Sequence, residues 1–169
     1  MAPYEEEILS ESVNPGSNIG NAIESVKSLY EKRYAEIWVV RNALQLDTED
    51  NNPSRFVTMD YMDVKPGKEF QYRMLEDEVA KPLHEGRMNI DRMEKWEMYQ
   101  LILPGGTDYG YNFATGNFFE HLWHIEFGFT EELINQTHPD TDIVSLTNQI
   151  AETRDLVRHE LWQLIENVR

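Results

Sequence analysis

The run Phe56-Val57-Thr58-Met59-Asp60-Tyr61-Met62-Asp63-Val64 constrains this chain most. It is rich in β-favouring residues, and successive side chains of a strand point to opposite faces. Val57, Met59 and Tyr61 fall on one face; Phe56, Thr58, Asp60, Met62 and Val64 fall on the other. Both faces are largely apolar, so the expectation is a central strand covered on both sides. Asp60 is the exception, a carboxylate in mid-strand whose burial calls for a partner.

Further elements follow in order. Pro66-Gly67-Lys68 is a turn, and Phe70, Met74, Leu75, Val79 and Leu83 then recur at helical spacing within Lys68–Asp91. Pro82 lies inside that run and predicts a kink near residues 78–82, because proline removes a backbone donor. Lys95–Leu103 and Tyr111–Phe119 read as strands flanking the turn Pro104-Gly105-Gly106-Thr107-Asp108. In the second, Ala114 and Gly116 share a face, and small residues there predict close approach of a helix. Glu120–Phe129 reads as a loop or irregular helix, Thr130 as a helix start, and Thr141–Leu156 as a helix. Val157–Val168 fits a strand, with Trp162 and Leu164 on a buried face, or a continued helix.

The first 50 residues read as an appendage to a domain spanning 51–169. Residues 1–18 are an acidic arm. Ile19, Ile23, Val26, Tyr30, Ile37, Val40 and Leu44 form the stripe of an amphipathic helix over Ile19–Leu46, although Ile37-Trp38-Val39-Val40 is also strand-like. Asp47–Ser54 is the linker.

The order β-α-β-β-α-β is the ferredoxin-like arrangement, an antiparallel α+β sheet with helices on one face. The residues Tyr61 with Val64–Lys68, Lys81-Pro82-Leu83-His84-Glu85, Trp96 with Tyr99, Leu103–Asp108, Tyr111-Asn112, and Arg154–Arg158 with Leu161-Trp162 resemble the dimeric α/β-barrel group. More narrowly they resemble a set of uncharacterised bacterial proteins of that group. The likeness covers residues 55–169. It implies a homodimer through the sheets and a pocket between sheet and helices. The group includes cofactor-independent monooxygenases, haem-degrading enzymes, dismutase-like enzymes and plain ligand binders, so no one reaction is implied.

Three sets of side chains carry chemistry. His84, just past the predicted kink, is a candidate general base, or else it hydrogen-bonds the backbone that Pro82 frees. With Asp60 and Tyr111 it forms the site expected for an enzyme acting on a small aromatic or apolar substrate. Asp60 pairs with His159 or Arg158 if the C-terminal strand lies alongside. His121, His124 and Glu126, with His84 as another donor, are the candidate metal ligands; the plain reading is a polar loop. Tyr61, Tyr99, Tyr109, Tyr111, Trp96 and Trp123 either line an aromatic pocket or belong to the core.

Composition narrows the partners. The net charge is −16, from 15 basic and 31 acidic residues, which repels nucleic-acid backbones and anionic membranes. The absence of cysteine removes thiolate chemistry and disulfides. Met1–Glu7 is acidic and has no apolar run of the secretory kind, so a cytoplasmic location is expected. No cofactor is required by any motif. The leading expectation is a small-ligand binder, followed by a cofactor-independent monooxygenase or isomerase, then a metal-dependent enzyme using His121 and His124.

Overall fold

β-branched and aromatic residues at period two build the strands. The computed structural model describes residues 35–45, 52–106 and 109–167. Their strands are β1 (Ile37–Gln45), β2 (Phe56–Val64), β3 (Lys95–Leu103), β4 (Phe113–Phe119) and β5 (Arg154–Gln163). They form one antiparallel sheet in the order β1-β3-β4-β2-β5. Between β2 and β3 lie α1 (Glu69–Leu75), a π-helical turn (Glu76–Ala80) and α2 (Lys81–Asn89); a 3-10 turn (Leu122–Glu126), α3 (Glu131–Thr137) and α4 (Ile143–Thr153) join β4 to β5. The helices cover one face of the sheet. Among the described residues no helix is long and apolar enough to cross a membrane.

Alternation along β2 sorts the core as its pattern requires. Met62 and Val64 pack with Tyr72, Met88, Trp96, Met98 and Phe113 beneath the helices. Met59 and Tyr61 pack with Ala114, Trp38, Tyr99 and Tyr111 on the opposite face. Burying a side chain of this size stabilises by roughly 1.5–3 kcal/mol relative to exposure. Asn112 ties the sheet together just before β4. Its side-chain amide accepts from the Val64 N–H and donates to the Val64 carbonyl, each at 2.8 Å. An amide carries both a donor and an acceptor, so it stands in for one more backbone pair beside β2.

The structure departs from expectation at both ends of the sheet. Ile37–Gln45 is not the end of a helix but the edge strand β1, paired with β3. The run Ile37-Trp38-Val39-Val40 is β-branched or aromatic at all four positions, which outweighs the helical spacing once β3 offers an edge. The expected helix over Ile19–Leu46 otherwise lies outside the described residues. The sheet therefore reaches back past residue 50. At the other end α4 stops at Thr153, and the last segment is a strand from Arg154 onward. β5 pairs only with β2, so Trp162 stays half exposed rather than buried. Ala114 and Gly116 share a face as read, but it is the helix-free one.

At Gly116 the close neighbours are side chains. A Cβ there would lie 3.0 Å from the Phe118 ring, 3.3 Å from Met59 Sδ and 3.3 Å from the Tyr99 ring. Gly116→Val is therefore expected to destabilise the fold by about 1–3 kcal/mol through overpacking. Urea unfolding followed by tryptophan fluorescence measures this; unchanged stability would show that the face is loosely filled.

Candidate functional site

The helix-facing side of the sheet is apolar at its ends and polar at its centre. Asp60 and Thr58 on β2 stand opposite Thr115 and Asn117 on β4. Above them the helices stand off and leave a cavity of about 370 Å³. Asp60, Thr115 and Asn117 form its floor, and Tyr72, Glu76, Leu83, His84 and Arg87 form one wall. Phe129, Ile134, Leu146, Ile150 and Arg154 close the far side.

Asp60 is held from both neighbouring strands. Asn117 Nδ2 donates to its Oδ2 at 3.2 Å and to Thr58 Oγ1 at 3.2 Å. On the other side its Oδ1 meets His159 Nδ1, directly opposite in the β2–β5 register. A carboxylate in this position is stable because each oxygen has a partner.

Glu76 is reached by a local change in helix winding. It opens the π-helical turn, which ends immediately before Lys81-Pro82. Proline cannot donate a backbone hydrogen bond, and a widened turn absorbs the defect that the sequence placed at 78–82. Glu76 is buried among Tyr72, Arg154 and Asp60. Burial raises its carboxyl from 4.5 to about 7; the Tyr72 hydroxyl and Arg154 oppose the rise, and Asp60 adds to it. Burial and the adjacent Glu76 likewise push the Tyr72 phenol well up. Near pH 7 Tyr72 is therefore neutral, and Glu76 stands close to the midpoint of its titration.

The other end of the wall is cationic. His84 stacks on Trp96, with ring centroids 5.5 Å apart, and touches Phe129 at 5.0 Å. Burial, helped by Arg87, lowers it from 6.5 to about 3, so it is a neutral imidazole at physiological pH. Arg87 is 6% exposed. Its guanidinium lies over the rings of Phe119 (5.4 Å) and Phe129 (5.9 Å). It makes no salt bridge among the described residues. Burial alone lowers its pKa, to about 10. Cation–π contacts offset about 0.5–2 kcal/mol each, whereas burying an ion costs several kcal/mol even after relaxation. Arg87 is thus a net cost to the fold. His84 Nδ1, Arg87 Nε and Asn117 Oδ1 are enclosed without a hydrogen-bond partner among the described residues, and all three residues line this one cavity.

The expected residues separate accordingly. Asp60 and His84 line the same cavity, and the anticipated Asp60–His159 pairing is present. Tyr111 does not join them. It sits on the helix-free face, stacked on Trp38 at 6.0 Å and beside Tyr61 at 5.0 Å. Its position just before β4 puts it on the face of Ala114. Arg158 lies over Tyr61 at 4.1 Å and is paired with Glu160, which also accepts from Trp162 Nε1. His121, His124 and Glu126 do not converge: the two imidazoles meet edge to face at 5.1 Å. Among the described residues no three metal-ligating side chains come together. The six aromatic residues read as one group are divided. Tyr61, Tyr99, Tyr109 and Tyr111 lie on the helix-free side, Trp96 lies in the helix-side core, and Trp123 stacks under Arg92 at 4.3 Å.

The sequence reading missed Glu76, Arg87, Asn117 and Arg154. Tyr72, Glu76, Leu83 and Arg87 keep helical spacing on one side of the helical run, so two charges inside a buried stripe were the available signal. Comparison of the chain with protein-family models, with curated proteins and with solved structures finds no match.

Burial makes stability depend on the Glu76 proton. The folded state retains that proton between about pH 4.5 and 7, where the unfolded chain has lost it, so its contribution falls as pH rises through this window. His84 acts in the opposite sense: stability is lost as pH falls from 6.5 toward 3. Between pH 4 and pH 8, Glu76→Gln should gain about 3 kcal/mol of unfolding free energy relative to wild type. Urea titrations of both proteins at the two pH values measure it, with His84 cancelling in the difference. Parallel curves would remove the assignment.

Proposed function

We propose that this chain is a ferredoxin-like α+β protein that binds a small ligand in the cavity between its sheet and its helices. Taken alone, the strands from Phe56 onward lie in the order β5-β2-β4-β3. That is the fourth-first-third-second order of a β-α-β-β-α-β unit, with β1 added outside β3. This supports the likeness to the dimeric α/β-barrel group, in which a pocket between sheet and helices is the expected site.

One observation carries the binding reading. A cavity of about 370 Å³ is bordered by His84, Arg87 and Asn117, each with an enclosed polar atom that finds no partner among the described residues. Ligand pockets of small molecules start near 300 Å³ and combine apolar walls with a few polar groups. An unpartnered buried polar atom costs about 1–3 kcal/mol, and a bound ligand with polar groups of its own would offset that cost at three atoms around one space.

A second reading has the site catalyse a cofactor-independent monooxygenase or isomerase-type conversion. Its support is Glu76, a buried carboxyl near neutrality placed by a π-helical turn toward Asp60. A group poised near the working pH suits proton transfer. In this reading Glu76 takes the place that Tyr111 vacates, with Asp60 and His84 retained.

The apolar strand faces also supported a homodimer. Met59, Tyr61 and Ala114 are buried at the centre of the helix-free face. A run of exposed apolar side chains lies instead along the edge strand β5, at Leu156, Val157, Leu161 and Trp162. An edge strand of this kind favours pairing with a second copy. Light scattering should report about twice 19.9 kDa at micromolar concentration; a clean monomer removes the dimer.

Leu146→Trp fills the cavity from α4 and should leave the fold intact. Single-ring compounds that raise the melting temperature of wild type are expected to leave this variant unmoved. Equal shifts in both proteins would place binding elsewhere. Recovery of the bound compound unchanged by wild type decides for binding over turnover, whereas conversion that Glu76→Gln abolishes decides for the enzyme.

A further inference from the structure

The two ends of the cavity are electrically unlike. At one end Arg154, Glu76 and Asp60 act on one another, and Asp60 is further held by Asn117 and His159. At the other end Arg87 lies over aromatic rings and beside the neutral His84. The arginine is buried, and among the described residues it has no salt bridge and no hydrogen bond to its Nε. In a chain carrying twice as many acidic as basic residues, a carboxylate for Arg87 would have been the easiest partner to supply. Arg154 thus stands in the field of acidic neighbours, whereas no acidic group acts on Arg87 among the described residues.

We propose that the cavity takes a small organic carboxylate, its anionic group bound by the Arg87 guanidinium and its apolar body seated against Phe129, Leu83 and Ile134. This rests on the reading of the cavity as a ligand site and adds the class of ligand. A guanidinium presents a planar fork of donors that matches a carboxylate in two parallel hydrogen bonds. Enclosure strengthens that contact because little water competes. The rings of Phe119 and Phe129 brace the fork from the side and hold it for the anion. A phosphate dianion fits less well, since the second arginine of the lining, Arg154, lies in the field of Glu76 and Asp60. The volume is at the small end for ligand pockets, which suits a single-ring or short-chain acid.

The test compares charged and neutral partners of one shape. Benzoate and phenylacetate, with benzamide and phenylacetamide as neutral counterparts, are titrated into wild-type protein and followed by ligand-observed NMR. The acids should bind at least about tenfold tighter than the amides, as expected for a charge-assisted pair. Arg87→Met should erase that preference while still binding the amides, and Arg87→Lys should keep part of it. Arg87→Met should also melt at a higher temperature than wild type without ligand, because an unpaired buried charge is gone. A stabilising cation–π role would lower it instead, and that result overturns the assignment. Equal affinity of wild type for acids and amides overturns the anion site while leaving the cavity as a binding site. Tighter binding of inorganic phosphate than of either acid overturns the carboxylate class. Failure of all four compounds to bind overturns both this inference and the ligand reading beneath it.

Discussion

The structure depends on how polar groups are accommodated at the middle of its sheet. Thr58, Asp60, Thr115 and Asn117 point toward the helices, where an apolar layer would ordinarily close down. They pair across β2 and β4, and Asp60 pairs again with β5. Those contacts bind three strands together with side chains as well as backbone. The helices cannot pack flush onto such a surface, so they rest on the apolar ends of the sheet, at Met62 and Val64 in one place and Trp96 and Phe119 in another. The cavity follows from that geometry.

Helix winding and helix packing serve the same space. Glu76 and Arg87 sit on either side of Pro82, in segments of different pitch. Close approach of α3 to α2 at Gly86, where a Cβ would meet Leu133 Cδ1 at 2.5 Å, completes the outer wall next to Ile134. The wall is built of backbone compromises, a widened turn and a missing side chain, and Glu76, Leu83 and His84 are mounted between them. This is the expected pattern where local rules of helix formation yield to a site.

Much of the scaffold was legible in the sequence because strand alternation there is strong. The two faces of β2, the span of β3, the proline defect in the long helix and the Thr130 cap were all readable from residue type and spacing. His84 and Asp60 stood out because each is polar among apolar neighbours, and both line the cavity. The faults have local causes. Ile37–Val40 satisfies helical and strand patterns at once, and only the free edge of β3 decides between them. Tyr111 precedes β4 in a loop, where alternation does not reach. Glu76 and Arg87 share helical spacing with Tyr72 and Leu83, but a sequence does not show that a π-helical turn lies between them. The His121–His124 spacing is common, and the 3-10 turn spreads its donors apart.

The π-helical turn has one more consequence. It holds an additional residue within a run that is otherwise α-helical, and each residue of an α-helix advances about 100° around the axis. Loss of one residue from Glu76–Ala80 would let α1 and α2 fuse into a continuous helix while turning α1 by that angle. The shortened chain would keep its apolar stripe on α2 and its sheet, yet Glu76 and Tyr72 would no longer face the floor of the cavity. Because Tyr72 also belongs to the helix-side core, such a deletion would remove part of that packing together with the acidic end of the cavity.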